Sequence, residues 1–500
     1  MILVWLIVIL FAGGIGALVA EKRSAELPRV IALATLLLDL FLVVLMLFAP
    51  GTLGLDAGSQ IDLGQTGEWL VLTSSDWIPQ FGVSFIFGAD GLGLLLIALT
   101  VFLGLMSLGS AWHEIKERTG FFYFNLLWTL AGVIGVFTAL DLFLFFFFWE
   151  VMLIPMYFII AIWGHENKEY AAMKFFIFTQ VSGMLMLLSI LVLAFFHYQS
   201  AGVFSFSYFD LLGTELPEGV GFWVMLGFFV AFATKLPAVP FHNWLPDAHS
   251  QAPTPGSVIL AGILLKTGAY GLIRFTIPLF PEVSMAFAPT AMTIGVISIL
   301  YTAKVAFSQN DLKRLIAYTS VSHMGFVLLG VYSWTAQGVQ GAVMTMLAHG
   351  FSAAALFMLA GGLQHRIHTR QMDKMGGLWG VAPKMGFMAL FFTVAAVGMP
   401  GLGNFIGEFL VLLGTFRISS AAAALAAIGM VVAAVYSLIV IQKVFHGENK
   451  NNLAFEDLTG VEMFCFGLMM IGLLWMGFYP QSMLDMSEPT LRSMGVLFFQ

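Results

Sequence analysis

The chain has 500 residues, of which 60% are hydrophobic and only 10% are charged, and its formal net charge is −7. Because soluble domains carry about 25% charged residues, a soluble globular fold is excluded. The acidic balance excludes a basic surface for nucleic acid, and the single cysteine, Cys465, excludes an intrachain disulfide and a cysteine-ligated metal site. The composition predicts a helical protein that crosses a membrane many times.

Fourteen segments are apolar over the roughly 20 residues that a membrane-spanning helix needs. The charges of Glu21, Lys22 and Arg23 follow the first segment and none precedes it, so we expect a retained span rather than a cleaved signal peptide. The longest loops are predicted at 50–89 and 197–220. The predicted spans are 2–20, 30–49, 91–112, 121–139, 142–163, 171–196, 221–247, 255–279, 286–307, 312–333, 339–363, 384–415, 421–443 and 461–480.

The seventh predicted span is interrupted next to a charge, because Lys235 is followed by Pro237 and Pro240. Each proline lacks a backbone donor and clashes with the carbonyl four residues earlier. Broken backbone inside a membrane is tolerated only where it lines protein or a water-filled cavity, and an ionisable residue at such a place is a candidate functional residue. The twelfth predicted span has a similar interruption at Pro400, which precedes Glu408.

The distribution of basic residues predicts the orientation of the chain, because inner loops of membrane proteins are enriched in Lys and Arg. With the N-terminus outside, sixteen of the 21 basic residues fall in inner loops, and both long loops lie outside without any Lys or Arg. The inner residues are Lys22, Arg23, Arg29, Lys116, Arg118, Lys168, Lys174, Lys304, Lys313, Arg314, Arg366, Arg370, Lys374, Lys384, Lys443 and Lys450. We expect Arg274, Arg417 and Arg492 at outer ends, and Lys235 and Lys266 within spans.

The sequence also contains an internal repeat with a spacing of 170 residues. Asp141 precedes the fifth predicted span and Asp311 precedes the tenth, and each group of five spans includes one interrupted helix. An odd number of spans per repeat predicts copies of opposite orientation, which is typical of transporters. We therefore predict an all-α polytopic fold of about fourteen transmembrane helices with two inverted five-helix repeats. Its parts are a three-helix segment at 1–120, a first repeat at 121–280 broken at Lys235–Pro240, a second repeat at 281–446 broken at Pro400–Glu408, and a C-terminal helix and tail at 447–500.

Six ionisable residues lie inside predicted spans, several residues from the nearest span end. They are Glu150, Lys235, Lys266, His323, His349 and Glu408. A charged residue at a helix centre costs about 2.5–3.5 kcal/mol on insertion scales, and chains of acidic residues and histidines in membranes mark proton relays. Histidine titrates near neutral pH. A lysine removed from water loses its proton more readily, whereas a nearby carboxylate favours its charged form, so a Glu–Lys pair that opens and closes can act as a proton switch.

Each of these residues also has a structural interpretation. Glu150 and Lys235 can form an ion pair that only stabilises the fold, and His323 and His349 can donate hydrogen bonds between helices, as is common in membrane bundles. Asp141, a further candidate for the proton path, stands at a span start and is typical of a helix N-cap. The side chains of His242, Asp247 and His249 are metal-ligand types, but their spacing matches no usual ligand pattern.

Several segments resemble the antiporter-like proton-pumping subunits of respiratory NADH:quinone oxidoreductase (complex I). They are FWEVMLIPMYFII, KLPAVPFHNWLPDAHSQAPTPGSVILAGILLKTGAYGLIR, QNDLKRLIAYTSVSHMGF, MLAHGFSAAALF and MPGLGNFIGEF. The resemblance covers nearly the whole chain. Glu408 stands where sister subunits of this family carry lysine, which favours one particular branch of it.

The resemblance implies a role for each candidate residue. Glu150 and Lys235 would form the coupling pair, Lys266 would lie at the centre of the relay, and Glu408 would be the exit-side site. His323 and His349 would pass protons along the relay, with His242 as a minor member.

The resemblance also implies what surrounds the chain. It predicts no cofactor in this chain, with NADH, flavin, iron–sulfur clusters and quinone in partner subunits. The expected partners are neighbouring antiporter-like membrane subunits, the other complex I subunits and the lipid bilayer, without nucleic acid. The expected location is a bacterial cytoplasmic (inner) membrane, with the N-terminus on the periplasmic side.

Three other functions remain open from the sequence. Multi-subunit cation/proton antiporters share these motifs and would exchange ions without a redox partner. Membrane subunits of hydrogenase complexes share them too, and would be encoded beside hydrogenase subunits. A structural scaffold, in which buried charges only specify helix pairing, predicts that neutral isosteres leave assembly and coupled activity intact.

Overall fold

The computed structural model describes residues 1–49, 69–449 and 451–493, and long helices dominate these ranges. Twelve of the described helices are long and apolar enough to cross a membrane. They are α1 (Ile2–Ala20), α2 (Leu27–Phe48), α3 (Gly91–Glu114), α4 (Thr119–Thr138), α5 (Leu142–Trp163), α6 (Lys168–Ala201), α9 (Thr254–Leu279), α10 (Pro281–Phe307), α11 (Leu312–Val331), α12 (Ala336–Ile367), α15 (Ser420–Val444) and α16 (Gly460–Phe478). The predicted helical membrane fold is confirmed.

The two spans that were expected to be interrupted are each divided into two shorter helices. The first consists of α7 (Val220–Lys235) and α8 (Trp244–Gln251), and the second of α13 (Pro383–Ala396) and α14 (Gly403–Ile418). None of these four reaches the length of a full span, so the count of fourteen spans stays a prediction beside the twelve long helices.

The first break keeps most of its backbone hydrogen-bonded. The carbonyl of Ala233, four residues before Pro237, accepts from the Ala238 N–H at 2.8 Å. The indole of Trp244 donates a 2.9 Å hydrogen bond to the carbonyl of Thr234, and Ser298 on α10 accepts from the Val239 N–H at 2.9 Å. One backbone bond and two side-chain bonds therefore satisfy polar backbone groups at the break.

The loop predicted at 50–89 ends in a β-hairpin rather than irregular chain. Strands β1 (Val71–Ile78) and β2 (Val83–Ala89) pair antiparallel, and the beginning of the predicted loop lies outside the described residues. A last helix, α17 (Gln481–Ser493), packs against the start of α3, where a Cβ on Gly91 would lie 1.7 Å from the Met486 carbonyl oxygen. Two single-turn helices, Tyr208–Leu211 and Leu378–Val381, lie in loops.

The two ends of the bundle differ in charge. At the end that we call the basic end, Arg29 bonds the Ile115 carbonyl and the Trp163 indole bonds the Glu117 carbonyl, so the loops after α1, α3 and α5 meet there. The hairpin and α17 lie at the opposite end. Helix α9 is the centre of the bundle, because it is buried along its whole length, whereas most residues of α6 and α16 are only partly buried or exposed.

Replacing Trp244 with phenylalanine tests how much the indole contributes to the broken helix. The change leaves the buried Thr234 carbonyl without its donor, and an unsatisfied buried acceptor costs about 1–3 kcal/mol. We expect a lower melting temperature of the detergent-solubilised protein for Trp244→Phe. Trp223→Phe on α7, where the side chain is 69% exposed, is the matched control, and equal shifts for both variants would contradict this account.

Candidate functional site

The central helix α9 is wound irregularly on both sides of Lys266. Two π-helical segments, Leu260–Leu264 and Leu272–Thr276, flank it. Such segments are rare and occur frequently at functional sites. The Lys266 Nζ donates a 2.6 Å hydrogen bond to the carbonyl of Ala261, in the first of these segments. The wide turn therefore provides a buried acceptor for a lysine that has no exposed surface.

A row of polar contacts runs from this lysine to the second broken helix. The Lys266 Nζ lies 2.8 Å from Nδ1 of His349 on α12. The ring centroids of His349 and His323 are 5.4 Å apart, and Nδ1 of His323 on α11 lies 2.6 Å from Oε1 of Glu408. The structure thus brings together four of the six predicted residues, which come from four helices, at the buried centre of the bundle.

Close packing of α12 against α14 fixes the position of Glu408. A Cβ on Gly407 would lie 2.6 Å from the backbone nitrogen of Thr345, and one on Gly341 would lie 2.6 Å from that of Val411. Only glycine permits this approach without displacing the backbone. Because α14 begins at Gly403, Glu408 lies within the first two turns of the second half-helix and is 1% exposed.

Lys235 is the last residue of α7, directly before the first break. Its Nζ lies 5.1 Å from the ring centroid of Trp149 and 5.5 Å from that of Phe175, and it has no hydrogen-bond partner. Aromatic faces attract cations, and the C-terminal end of a helix carries a partial negative charge. The lysine is therefore held by weak electrostatic contacts while its side chain is 1% exposed.

Glu150 lies on α5, beside α6. A Cβ on Gly183 would lie 3.0 Å from Oε1 of Glu150, which has no hydrogen-bond partner. Since the Nζ of Lys235 is unpartnered as well, the predicted Glu–Lys pair is not closed by direct contact in this structure. Trp149, whose ring Lys235 contacts, directly precedes Glu150 in the sequence.

His242 lies in the connection between α7 and α8 and is 3% exposed. Its ring packs edge-on against Tyr301 at 5.7 Å and near Tyr318 at 6.4 Å, and neither ring nitrogen has a hydrogen-bond partner. The structure therefore does not join His242 directly to the row that begins at Lys266.

Asp141 occupies the N-cap position of α5. Its Oδ1 accepts from the N–H groups of Phe143 and Leu144 at 2.9 and 3.0 Å, and its Oδ2 accepts from the Ser84 N–H at 2.9 Å. These contacts support the capping interpretation, and the role of Asp141 in a proton path stays a prediction. Asp311 caps α11 in the same way, through Arg314 N–H at 3.1 Å.

A buried ion pair at the opposite end was not anticipated from the sequence. The guanidinium of Arg274 on α9 bonds the carboxylate of Asp90, which also caps α3 through a 2.9 Å hydrogen bond from the Gly93 N–H. Arg274 also bonds the Tyr270 hydroxyl at 3.2 Å and lies over the Trp69 ring at 4.9 Å. The sequence predicted Arg274 at an outer helix end. The available signal for its partner was Asp90, which directly precedes the predicted span 91–112.

Asp247 is a second unexpected connection, at the basic end. It accepts from Lys174 on α6 at 2.6 Å and from Arg314 on α11 at 2.7 Å. Asp247 therefore ties α8, half of the first broken helix, to one helix of each predicted repeat. Among the described residues, no group of three or more His, Cys, Asp or Glu side chains could hold a metal ion.

Comparisons with known proteins place this arrangement in a family. The sequence profile described as "NADH:quinone oxidoreductase/Mrp antiporter, TM" matches residues 139–436, which include all six candidate residues. The chain belongs to this family. The family resemblance found in the sequence is thereby confirmed.

Individual relatives agree with the match. NADH-quinone oxidoreductase subunit M of Escherichia coli (strain K12) is 50% identical over 98% of this chain and 97% of its own length, and the subunit M of Pseudomonas aeruginosa is 51% identical over 98% and 97%. Sister subunits carry lysine at the position of Glu408, and this difference favoured one branch of the family in the sequence. Subunit M is that branch.

Solved structures of the family share the fold. A chain of respiratory complex I from Thermus thermophilus superposes with a TM-score of 0.86 at 31% identity, over 98% of this chain and 99% of that chain. A chain of the Mrp complex from Dietzia sp. superposes with a TM-score of 0.81 at 20% identity, over 99% of this chain and 52% of that chain, which shows the shared fold alone.

Proposed function

We propose that the chain is a proton-translocating membrane subunit of an NADH:quinone oxidoreductase. Protons move through the buried Glu, Lys and His side chains, and the driving quinone reduction takes place in other subunits. The relatives' names and the solved complex support the assembly. NADH, flavin, iron–sulfur clusters and quinone belong to partner subunits in this proposal, and the chain contacts neighbouring antiporter-like subunits.

The row from Lys266 through His349 and His323 to Glu408 is the observation that carries the proposal. Its two hydrogen bonds, of 2.8 and 2.6 Å, are separated by one ring-to-ring step of 5.4 Å. Neutral imidazole has one donor and one acceptor nitrogen, so each histidine can accept a proton on one side and release it on the other. Because buried ionisable groups are costly, a continuous set of them is better explained by proton transfer than by packing.

The proposed orientation and division follow from the same features. The basic end faces the cytoplasm and the N-terminus the periplasm, in a bacterial inner membrane. Residues 121–280 and 281–446 form the two inverted repeats between a three-helix segment (1–120) and a C-terminal part (447–500). The equivalent caps of Asp141 and Asp311 support this division, because each also forms a β-bridge to a later loop, at Ser207 and Gln371 respectively.

Replacing Lys266 with methionine tests the relay. The variant keeps a flexible side chain of similar length but removes the amine of α9 that contacts His349. We expect coupled proton translocation to fall by at least about tenfold, since single proton-transfer groups typically contribute about 10²–10⁴-fold. NADH-driven quinone reduction and the proton gradient are measured in native membranes, with assembly checked on a native gel.

Lys304→Met is the matched control, because this exposed lysine lies at the basic end of α10. It should leave both activities and assembly unchanged. A Lys266→Met complex that assembles and pumps like the control would mean that the buried charges only specify helix pairing. Ion exchange that persists in the absence of every redox subunit would favour a cation/proton antiporter instead.

A further inference from the structure

Asp39 is a buried acidic residue that the row from Lys266 to Glu408 does not use. It lies in the middle of α2, which packs on α1 to form what we call the N-terminal hairpin, outside the residues 139–436 that the family profile matches. Its side chain has no exposed surface, and neither carboxyl oxygen has a hydrogen-bond partner in the part of the chain that the structure describes. Nearly all buried polar groups in proteins are hydrogen-bonded, so this acid is an exception that requires an explanation.

Asp39 occupies a core position of its helix. Together with Ala32, Leu36, Val43 and Met46 it forms a stripe of buried residues that are three or four positions apart. This spacing places all five on one face of a helix. The other four are apolar, so the carboxyl stands where the packing of α2 otherwise uses hydrocarbon.

This stripe faces the neighbouring helices of the bundle. A Cβ on Gly104 of α3 would lie 3.3 Å from Leu36, and α2 contacts α4 as well. On the other side, a Cβ on Gly13 of α1 would overlap the side chain of Thr35. Asp39 follows Leu36 by one turn on the same face, and its carboxyl therefore lies inside the group formed by α1, α2, α3 and α4.

None of these four helices places a cation beside Asp39. Helix α1 has no titratable side chain, and Arg29 stands ten residues before Asp39 on α2, about 15 Å away along the helix axis. Residues 50–68, which lie outside the described ranges, contain no Lys, Arg or His. The other titratable residues of α2, α3 and α4 all lie within two turns of a helix terminus at the basic end, and they are Arg29, His113, Glu114 and Tyr123.

A carboxylate that is buried without a counter-ion or a donor is so unfavourable that the group binds a proton instead. A neighbouring subunit cannot supply the missing cation, because the side chain of Asp39 is enclosed within this chain. We propose that Asp39 carries a proton at neutral pH, and that loss of this proton to water loosens the packing of the N-terminal hairpin on α3 and α4. Asp39 is then a pH-sensitive latch of the hairpin, and it acts independently of the relay.

The direction of the pH dependence follows from where the proton is held. An aspartic acid that is exposed to water titrates at about pH 3.9, so Asp39 is ionised at neutral pH once the hairpin has opened. The closed hairpin keeps a proton that the open hairpin has released, and a rise in pH therefore favours opening. The stabilising effect of the proton is complete in acid and is lost as the pH rises.

Replacing Asp39 with asparagine tests the latch, because the amide has the size of the acid but cannot ionise. We measure amide hydrogen exchange of α2 by mass spectrometry in the solubilised whole complex. Wild type and Asp39→Asn are compared at the same pH, so that the intrinsic pH dependence of exchange cancels. We expect the ratio of the two exchange rates to rise at least about tenfold between about pH 6 and about pH 8, because release of one proton changes the opening constant by up to about tenfold per pH unit.

Infrared spectra detect the proton itself. Protonated carboxyls absorb apart from carboxylates and amides, so the spectrum of wild type minus that of Asp39→Asn at neutral pH should contain a protonated carboxyl band. Incorporation of aspartate labelled with carbon-13 should shift this band, which identifies it as an aspartic acid.

Two further variants complete the test. Asp373→Asn removes an exposed acid at the basic end, and its α2 should exchange like that of wild type at every pH. Asp39→Leu places an apolar side chain of similar shape in the stripe. Its exchange should be as independent of pH as that of Asp39→Asn, and it decides the matter if Asp39→Asn fails to assemble.

An exchange ratio that stays constant with pH, or carboxylate bands in place of the protonated band, would overturn the latch. Asp39→Asn should pump normally at neutral pH, because the row from Lys266 to Glu408 is intact. If the assembled variant lost pumping, Asp39 would belong to the proton path and the latch would be wrong. The relay is tested separately by Lys266→Met, so either proposal can fail without the other.

Discussion

Replacing Lys235 with methionine is expected to abolish coupled proton translocation without destabilising the protein. The Nζ of Lys235 has no hydrogen bond to lose. A lysine at a helix centre costs about 2.5–3.5 kcal/mol on insertion scales, and contacts with aromatic faces offset up to about 2 kcal/mol each when desolvated. Because these terms nearly cancel, we expect a melting temperature that is unchanged or slightly higher in Lys235→Met, whereas pumping falls at least about tenfold.

Both quantities are measured on the same assembled complex, the first by thermal unfolding and the second by the NADH-driven proton gradient. Lys443→Met, at the exposed basic end of α15, is the control. Glu150→Gln should behave like Lys235→Met if the two side chains form one switch. If Lys235→Met retained full pumping, or lost it only together with assembly, Lys235 would be a structural residue.

Replacing Arg274 with alanine should produce the largest loss of stability in the chain. The change leaves the buried carboxylate of Asp90 without its cation, and breaking a buried ion pair in this way costs about 3–5 kcal/mol. It also removes the contacts with Tyr270 and Trp69. We expect a clearly lower melting temperature of the solubilised protein and less assembled complex on a native gel.

A double variant separates the ion pair from the packing. Asp90→Asn keeps an oxygen that can cap α3 but removes the charge, so Arg274→Ala combined with Asp90→Asn should recover part of the stability. Arg417→Ala, at an exposed site at the end of α14, should have little effect. If the loss of stability in the double variant equalled the sum of the losses in the two single variants, Arg274 and Asp90 would act independently.

The sequence predicted those features that depend on hydropathy and on backbone chemistry. Long apolar runs located the membrane helices, and the prolines after Lys235 located the first break. Because apolar residues surround Lys266, His323, His349 and Glu408 in the sequence, these four were also predicted to be buried. It could not predict that these four side chains meet in one row, because the contacts of the row join residues up to 85 positions apart in sequence.

Other features depend on tertiary contacts that hydropathy does not encode. Lys313, which was counted among the inner-loop charges, stands two residues after the capping Asp311 and is fully buried, in contact with His165 and the Ala252 carbonyl. The hairpin of β1 and β2 alternates weakly in polarity, so its strands were interpreted as loop. The Asp90–Arg274 pair joins residues 184 positions apart, so the sequence around Asp90 could indicate a helix cap but not its partner.

The burial of α9 along its whole length has a consequence for how the protein can change over time. Every side chain on this helix touches protein, and a Cβ on Gly268 would lie 2.5 Å from the Phe232 carbonyl oxygen. Helices such as α6 can exchange one apolar residue for another on their outer faces at little cost. On α9 even a change of one methyl group disturbs a neighbour, so mutational drift should be slowest there and fastest on the outer helices.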